Sequence, residues 1–251
     1  MNYYDYNENQ ILTCKHCQWS GMAKDGSKEY FDQLFTVDCP QCLEPPSLLA
    51  VDYPTIEETK EAAAKGNEEA LSNLPVALIV EQARKLNKLA EALVKERIKG
   101  MRKGTADIPN WTHSFHVRDA LIVGDFSHEV VLGGMLHDIV EDGNTSIDNL
   151  RELGFSERVL KLVDLCSHDS QVKESEARWV KMIVRLVDAK DRDAWAIKVA
   201  DIIDNLRSCH TMPKKEQHFM RHVKGTFLLR LSKPLLGKHP MWQELNELVN
   251  Q

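Results

Sequence analysis

The sequence predicts a mainly helical protein with a small cysteine-stapled β module at its amino terminus. Three observations carry that expectation. Cys14, Cys17, Cys39 and Cys42 form two Cys-x-x-Cys pairs within the first fifty residues. From Pro75 onward, apolar residues recur at helical spacing with charges between them. After residue 55 no stretch alternates apolar and polar residues as a half-buried strand does.

The elements follow in chain order. Paired Cys-x-x-Cys knuckles at this separation match a tetrahedral four-cysteine zinc site in a ribbon-like fold. Trp19, Tyr30, Phe31, Leu34, Phe35 and Val37 supply strand-forming content between the knuckles. Glu44-Pro45-Pro46-Ser47 closes the second knuckle, and Leu48–Val51 is expected to return as a final strand. Four thiolates fill a zinc shell, so the site reads as structural and His16 as a bystander. Cys166 and Cys209 sit on apolar stretches and read as core residues. Thr55 with Glu58 makes a capping box for a short helix through Lys65. Gly66-Asn67 breaks it, and a second short helix is expected over 68–73. The resulting division is a zinc ribbon over 1–52, a helical connector over 53–75 and a helical domain over 76–251.

In that domain Val76, Ile79, Val80, Ala83, Leu86, Leu89, Ala90, Leu93, Val94 and Ile98 trace one helix. Further helices are expected over 111–123, 127–141, 146–153, 156–168, 174–190, 192–209, 214–232 and 240–250. Composition sets limits on function. A net charge of −6 opposes broad phosphate binding by nucleic-acid partners. No apolar run approaches the length of a membrane span. The first residues lack the basic-then-apolar plan of a secretory signal, so a cytoplasmic location is expected.

The chemistry concentrates in His137-Asp138-Ile139-Val140-Glu141-Asp142, four ionisable side chains at the end of the apolar run 130–136. Burying such groups is costly unless they are paired or bind a metal. On a continuous helix His137 would stack on Glu141 and Asp138 on Asp142. The arrangement offers two ligands and, one turn later, two carboxylates for proton transfer. Two other helices offer more ligands: His113 near Phe115 and Val117, and Asp201 with Asn205 at i,i+4 in a strongly apolar segment. Asp201 shows no obvious salt-bridge partner in the sequence, whereas His116 and Asp204 read as surface residues.

The spaced pattern His…His-Asp…Asp resembles the HD phosphohydrolase superfamily. The Glu141-Asp142 extension is similar to the RelA/SpoT-type hydrolases of guanosine tetra- and pentaphosphate, (p)ppGpp, and above all to their small hydrolase-only members. The resemblance covers roughly residues 83–250. It includes Arg102-Lys103 ahead of His113, and Lys198-Val199-Ala200-Asp201 followed by Asn205-Leu206-Arg207. It implies an all-helical HD-domain bundle in which His113, His137, Asp138 and Asp201 ligate one divalent ion, Mn2+ or another such as Fe2+. It further implies that Glu141 and Asp142 position and deprotonate a water, and that Asn205 contacts a ribose. Arg102 would lie against a purine, with Lys103 and Lys198 near phosphates. The implied reaction removes the 3′-pyrophosphate to give GDP or GTP.

Several positions depart from the family pattern. Ser114 stands where proline is usual, Trp111 where tyrosine is, and Ile202 where a basic residue is. Ser167-His168-Asp169 stands at a Thr-Lys or Thr-Asp element. Two other readings follow. One is a phosphohydrolase of another nucleotide, such as a deoxynucleotide, a nucleoside monophosphate or a dinucleotide 2′-phosphate. The other is a nucleotide sensor without turnover, whose ribbon contacts nucleic acid or protein.

Overall fold

The computed structural model describes residues 1–42, 47–168 and 172–251. Two compact units emerge, Met1–Gln82 and Ala83–Gln251.

In the smaller unit β1 (Ile11–Thr13) pairs antiparallel with β2 (Ser20–Met22), bringing Thr13 opposite Ser20. β3 (Ser27–Tyr30), β4 (Leu34–Asp38) and β5 (Leu49–Asp52) form an antiparallel meander with β4 central. β4 alternates, burying Phe35 and Val37 against Val51 of β5. Tyr6 meets the Phe35 ring edge-on at 5.2 Å, adding aromatic packing to this small core. The return strand expected at 48–51 is thus present, shifted by one residue. The Glu44–Pro46 part of the expected knuckle closure lies outside the described residues. α1 (Ile56–Ala64) begins at the expected box: Thr55 Oγ1 accepts from the Glu58 N–H, and Glu58 accepts from the Thr55 N–H.

The expected short helix over 68–73 is not separate. α2 runs from Glu68 to Arg97 with Pro75 inside it. Asn67 Oδ1 accepts from the Ala70 N–H and opens the helix. Pro75 removes a single backbone donor, and the turns on either side keep theirs. The apolar stripe is also not uniformly buried. Ala90, Leu93, Val94 and Ile98 lie in the core of the larger unit, whereas Val76, Ile79 and Val80 are exposed.

In the larger unit α9 (Arg192–Ser208) is the central helix, buried from Ala194 through Asp204. A helix that is apolar almost all round belongs inside. α3 (Thr112–Val123), α4 (His128–Leu136), α7 (Glu157–Cys166), α11 (Thr226–Leu236) and α12 (Pro240–Asn250) pack around it. α3 and α4 approach closely at Gly134, where a Cβ would lie 2.1 Å from Leu121 Cδ1. α5 (Ile139–Asp142), α6 (Ile147–Glu152), α8 (Ser175–Ala189) and α10 (Lys214–His218) complete the helices.

Two expected helices are interrupted. The helix expected over 127–141 ends at Leu136 and resumes at Ile139, leaving His137 and Asp138 in a corner. The break is stabilised by side chains that take up freed carbonyls. His137 Nδ1–H donates to Gly134 O at 2.7 Å, and Ser167 Oγ–H reaches His137 O at 3.2 Å. The helix expected over 214–232 splits into α10, a π-helical segment Phe219–Gly225, and α11. Wide turns of this kind re-phase the side chains that follow them.

Candidate active site and metal centres

In the larger unit the site is built where α3, the α4–α5 corner and α9 meet. On α9, Lys198, Asp201, Asp204, Asn205 and Ser208 recur at i, i+3 and i+4, forming the one polar face of an otherwise apolar helix. His113 and His116 sit at i,i+3 on α3 and face it.

The two buried imidazoles address a common point. His113 Nδ1–H donates to Asp204 Oδ2 at 2.6 Å, and its Nε2 lies 3.2 Å from Asp201 Oδ1 and 3.7 Å from Asp138 Oδ2. His137 gives its Nδ1–H to the Gly134 carbonyl, so its Nε2 carries the lone pair. That Nε2 is fully buried, has no hydrogen-bond partner among the described residues, and lies 3.1 Å from Asp138 Oδ1. Ligand atoms of His113, His137 and Asp201 all fall within 4.8 Å of one another. An orphaned buried nitrogen beside a second imidazole and two carboxylates fits one divalent cation.

The electrostatics agree. Burial opposes the charge on Asp201, yet Lys198, His113 and His137 hold its carboxyl well below the ordinary range. Asp138 is likewise held low against its burial by His137 and His113. Burial works against a charged His113, but Asp201, Asp204 and Asp138 raise its pKa to about 9. The carboxylates thus favour positive charge at this point, whether a proton on His113 or a cation in its place.

Asp201 has no obvious partner in the sequence but three in the structure. Lys198 forms an ion pair with it, Asn205 Nδ2 donates to Oδ1 at 2.5 Å, and His113 faces the same oxygen. Lys198 and Asn205 therefore touch the Asp201 carboxylate directly. His116 is exposed, as expected of a surface residue, whereas Asp204 corrects its surface reading. Asp204 is only 7% exposed and accepts from His113, from His116 Nδ1 at 2.8 Å and from Arg102 Nη2 at 2.6 Å. A carboxylate behind a metal-facing imidazole fixes its tautomer and ring orientation. The spacing of Asp204 three residues after Asp201, opposite His113 and His116, was the signal available for this role.

Arg102 also donates to Ser208 Oγ at 2.7 Å. Lys103 is exposed, 3.4 Å from Glu216. Together with His113, Asp138, Glu141, Asp142, Lys198, Asp201 and Asn205, both line a cavity of about 520 Å³. Asp142 is pushed above the usual carboxylate range by burial and by the neighbouring Asp138 and Glu141. Glu141 is bonded to His168, whose ring and backbone N–H reach its two oxygens. Lys224, from the π-helical segment, enters the same cavity over the Trp179 ring at 5.9 Å. Lys224 carried no sequence signal as a site residue, and His168 was marked only by its place in the Ser167-His168-Asp169 element, not by its contact with Glu141.

In the smaller unit Cys14, Cys17, Cys39 and Cys42 gather with all four sulfurs within 4.8 Å of one another. Sγ atoms of Cys14 and Cys42, and of Cys17 and Cys39, are 3.6 Å apart, and all four are free thiols. The knuckle turns through Gln18 in the left-handed region at φ 62°. Backbone N–H groups of Cys17 and His16 lower the Cys14 thiol to about 6, whereas hydrogen bonds with Cys17 and Cys14 push its neighbour Cys42 up to about 12. The donor set fits one tetrahedral ion.

An all-helical domain with a buried His-Asp metal centre is the class of protein that fold and site define. The chain belongs to the HD domain family: the family profile matches residues 88–229, more than half of the sequence. It is 28% identical over 152 residues to a guanosine-3′,5′-bis(diphosphate) 3′-pyrophosphohydrolase of Aquifex aeolicus (strain VF5), covering 59% of this chain and 21% of that protein. It is 27% identical over 190 residues to the bifunctional (p)ppGpp synthase/hydrolase SpoT of Escherichia coli (strain K12), covering 72% of this chain and 26% of that protein. The chain thus spans about a fifth to a quarter of the length of these relatives. The solved structure of a metazoan SpoT ortholog has the same fold over 66% of this chain and 94% of its own, with a TM-score of 0.57 and 24% identity. Among the described residues no helix is long and apolar enough to cross a membrane.

Proposed function

We propose that this protein hydrolyses (p)ppGpp, releasing the 3′-pyrophosphate and leaving GDP or GTP. The observation that carries the reading is the buried, unpartnered Nε2 of His137, set beside His113, Asp138 and Asp201, which line a cavity together with Glu141 and Asp142. The names of the relatives supply the substrate class.

His113, His137, Asp138 and Asp201 would hold the divalent ion, for which a mixed imidazole and carboxylate set suits Mn2+ or Fe2+. When bound, the ion lowers the pKa of water and offsets phosphate charge. The chain's own residues do the rest. Asp142, with its raised carboxyl pKa, takes the proton of the attacking water, and Glu141 orients that water. The water oxygen bonds to the phosphorus attached to O3′, the P–O3′ bond breaks, and O3′ leaves as the alcohol with a proton that replaces the one Asp142 took from the water. Lys103, Lys198 and Lys224 line the cavity and in this reading face phosphate oxygens, Asn205 contacts a ribose hydroxyl, and Arg102 lies against a purine. The four cysteines hold a structural Zn2+ in a ribbon over 1–52. The connector over 53–75 leads to the phosphohydrolase domain over 76–251. This reading places the protein in the cytoplasm, where (p)ppGpp is its partner.

Ile202 lines the cavity where the family usually carries a basic residue, which favours another nucleotide as the second reading. The test is a Glu141→Gln, Asp142→Asn double variant assayed with Mn2+ and (p)ppGpp. Hydrolysis should fall by about 10²–10⁴-fold while nucleotide binding persists. Turnover equal to that of the unaltered chain would refute the assigned roles. Binding without turnover by the unaltered chain would favour a sensor.

A further inference from the structure

Glu141 is held by one residue at both carboxylate oxygens. The His168 backbone N–H donates to Oε1 at 2.7 Å, and its Nδ1–H donates to Oε2 at 2.5 Å. His168 itself stands on a fixed support. Ser167 is 4% exposed, its hydroxyl reaches Val163 O at 2.8 Å and His137 O, and its carbonyl accepts from the Arg185 guanidinium. The segment that clamps Glu141 is therefore bonded to the backbone of the corner that carries His137 and Asp138. His168 and Glu141 both line the cavity, and His168 Nε2 is buried with no hydrogen-bond partner among the described residues.

A free glutamate side chain samples many orientations, and its carboxylate has about four lone-pair sites. Two donors from one residue fix the carboxylate plane and leave the remaining lone pairs pointing in set directions. We infer that His168 is a positioning residue that orients Glu141 toward the attacking water. The inference rests on the phosphohydrolase reading and adds to it a residue that the chain carries where the resembling family has lysine or aspartate. The Nδ1–H tautomer required by the clamp leaves Nε2 as an acceptor in the cavity wall.

The experiment compares His168→Ala and His168→Asn with the unaltered full chain, assayed with Mn2+ and (p)ppGpp. His168→Ala should lower kcat about 10–100-fold with little change in KM, because misplacement of a reacting group costs rate and not affinity. His168→Asn should restore most of the loss, since its amide N–H can occupy the Nδ1 donor position. Adding His168→Ala to Glu141→Gln should bring no further loss, as expected of two residues acting as a unit. An unaltered kcat in His168→Ala, or losses that multiply in the double variant, would overturn the inference. A second measurement needs neither metal nor turnover: imidazole ¹⁵N NMR of the unloaded chain should find His168 in the Nδ1–H tautomer, and Glu141→Ala should abolish that preference. An identical tautomer ratio in both proteins would overturn the clamp. Should the unaltered chain hydrolyse no (p)ppGpp, the proposed function fails, and the tautomer result alone decides the fate of the Glu141–His168 pair.

Discussion

Asp204→Asn is the most informative single substitution outside the ligand set. The carboxylate accepts from His113, His116 and Arg102, and each donor can carry a positive charge. Asparagine keeps the shape but offers one acceptor oxygen and places an amide donor opposite one of these groups. If that amide faces His113 Nδ1, the ring must hold its proton on Nε2, the nitrogen needed for a metal. The three contacts differ in weight. The His116 side chain is 56% exposed, so its bond contributes little, whereas the His113 and Arg102 bonds are about nine-tenths shielded. Loss of an orienting partner behind a metal-binding imidazole costs about 10–100-fold in metal affinity or activity, equivalent to about 1.4–2.7 kcal/mol. Mn2+ titration calorimetry should therefore give a Kd raised by that factor, while His116→Asn changes it far less. An Asp204→Asn protein with unaltered Mn2+ affinity would refute the claim that Asp204 orients His113.

Three further outcomes follow from other parts of the molecule. Arg158 and the backbone N–H groups at the start of α9 hold the Asp191 carboxyl at about 2 against an ordinary 3.8. A depressed carboxyl stabilises the fold above its unfolded pKa and loses that contribution as pH falls through its folded value. After allowance for solvent screening, Asp191→Asn should cost about 1–2 kcal/mol in urea unfolding at pH 7, and the deficit should shrink between pH 4 and pH 2; a deficit constant across that range would contradict the assignment. Gly134→Ala drives a methyl to 2.1 Å from Leu121 Cδ1 where α3 and α4 meet. It should destabilise the helical unit by about 1–3 kcal/mol, measurable as a lowered thermal midpoint. Cys39→Ser should release one bound zinc per chain and remove amide-exchange protection from β1 through β5, because the binding free energy of such a site, about 10–16 kcal/mol, is also folding free energy. Full protection without zinc would show that the aromatic core around Phe35 holds these strands unaided.

How much of this was legible in the sequence depends on the range of each interaction. The Thr55–Glu58 box and the two knuckles are local signals, and both take the expected form. Helix existence was readable from apolar period. The breaks at His137–Asp138 and at Phe219–Gly225 were not; at the first, Ser167 reaches the His137 carbonyl from thirty residues away. Val76, Ile79 and Val80 share the period of the buried residues that follow, yet lie exposed, so period alone did not separate a core face from an open one. At the site, spacing pointed to His113, His137 and Asp201, whose ligand atoms the structure gathers within 4.8 Å of one another. The contacts behind them were not legible, since Asp204 and His116 acquire partners dozens of residues away, as does His168 at Glu141.

Product identity tests the central claim most directly. The Mn2+-loaded chain, incubated with ppGpp, should release pyrophosphate and GDP in equal amounts, with no orthophosphate formed. Orthophosphate as the sole phosphorus product, or intact ppGpp after incubation with a chain shown to hold one ion at the His-Asp centre, would contradict it.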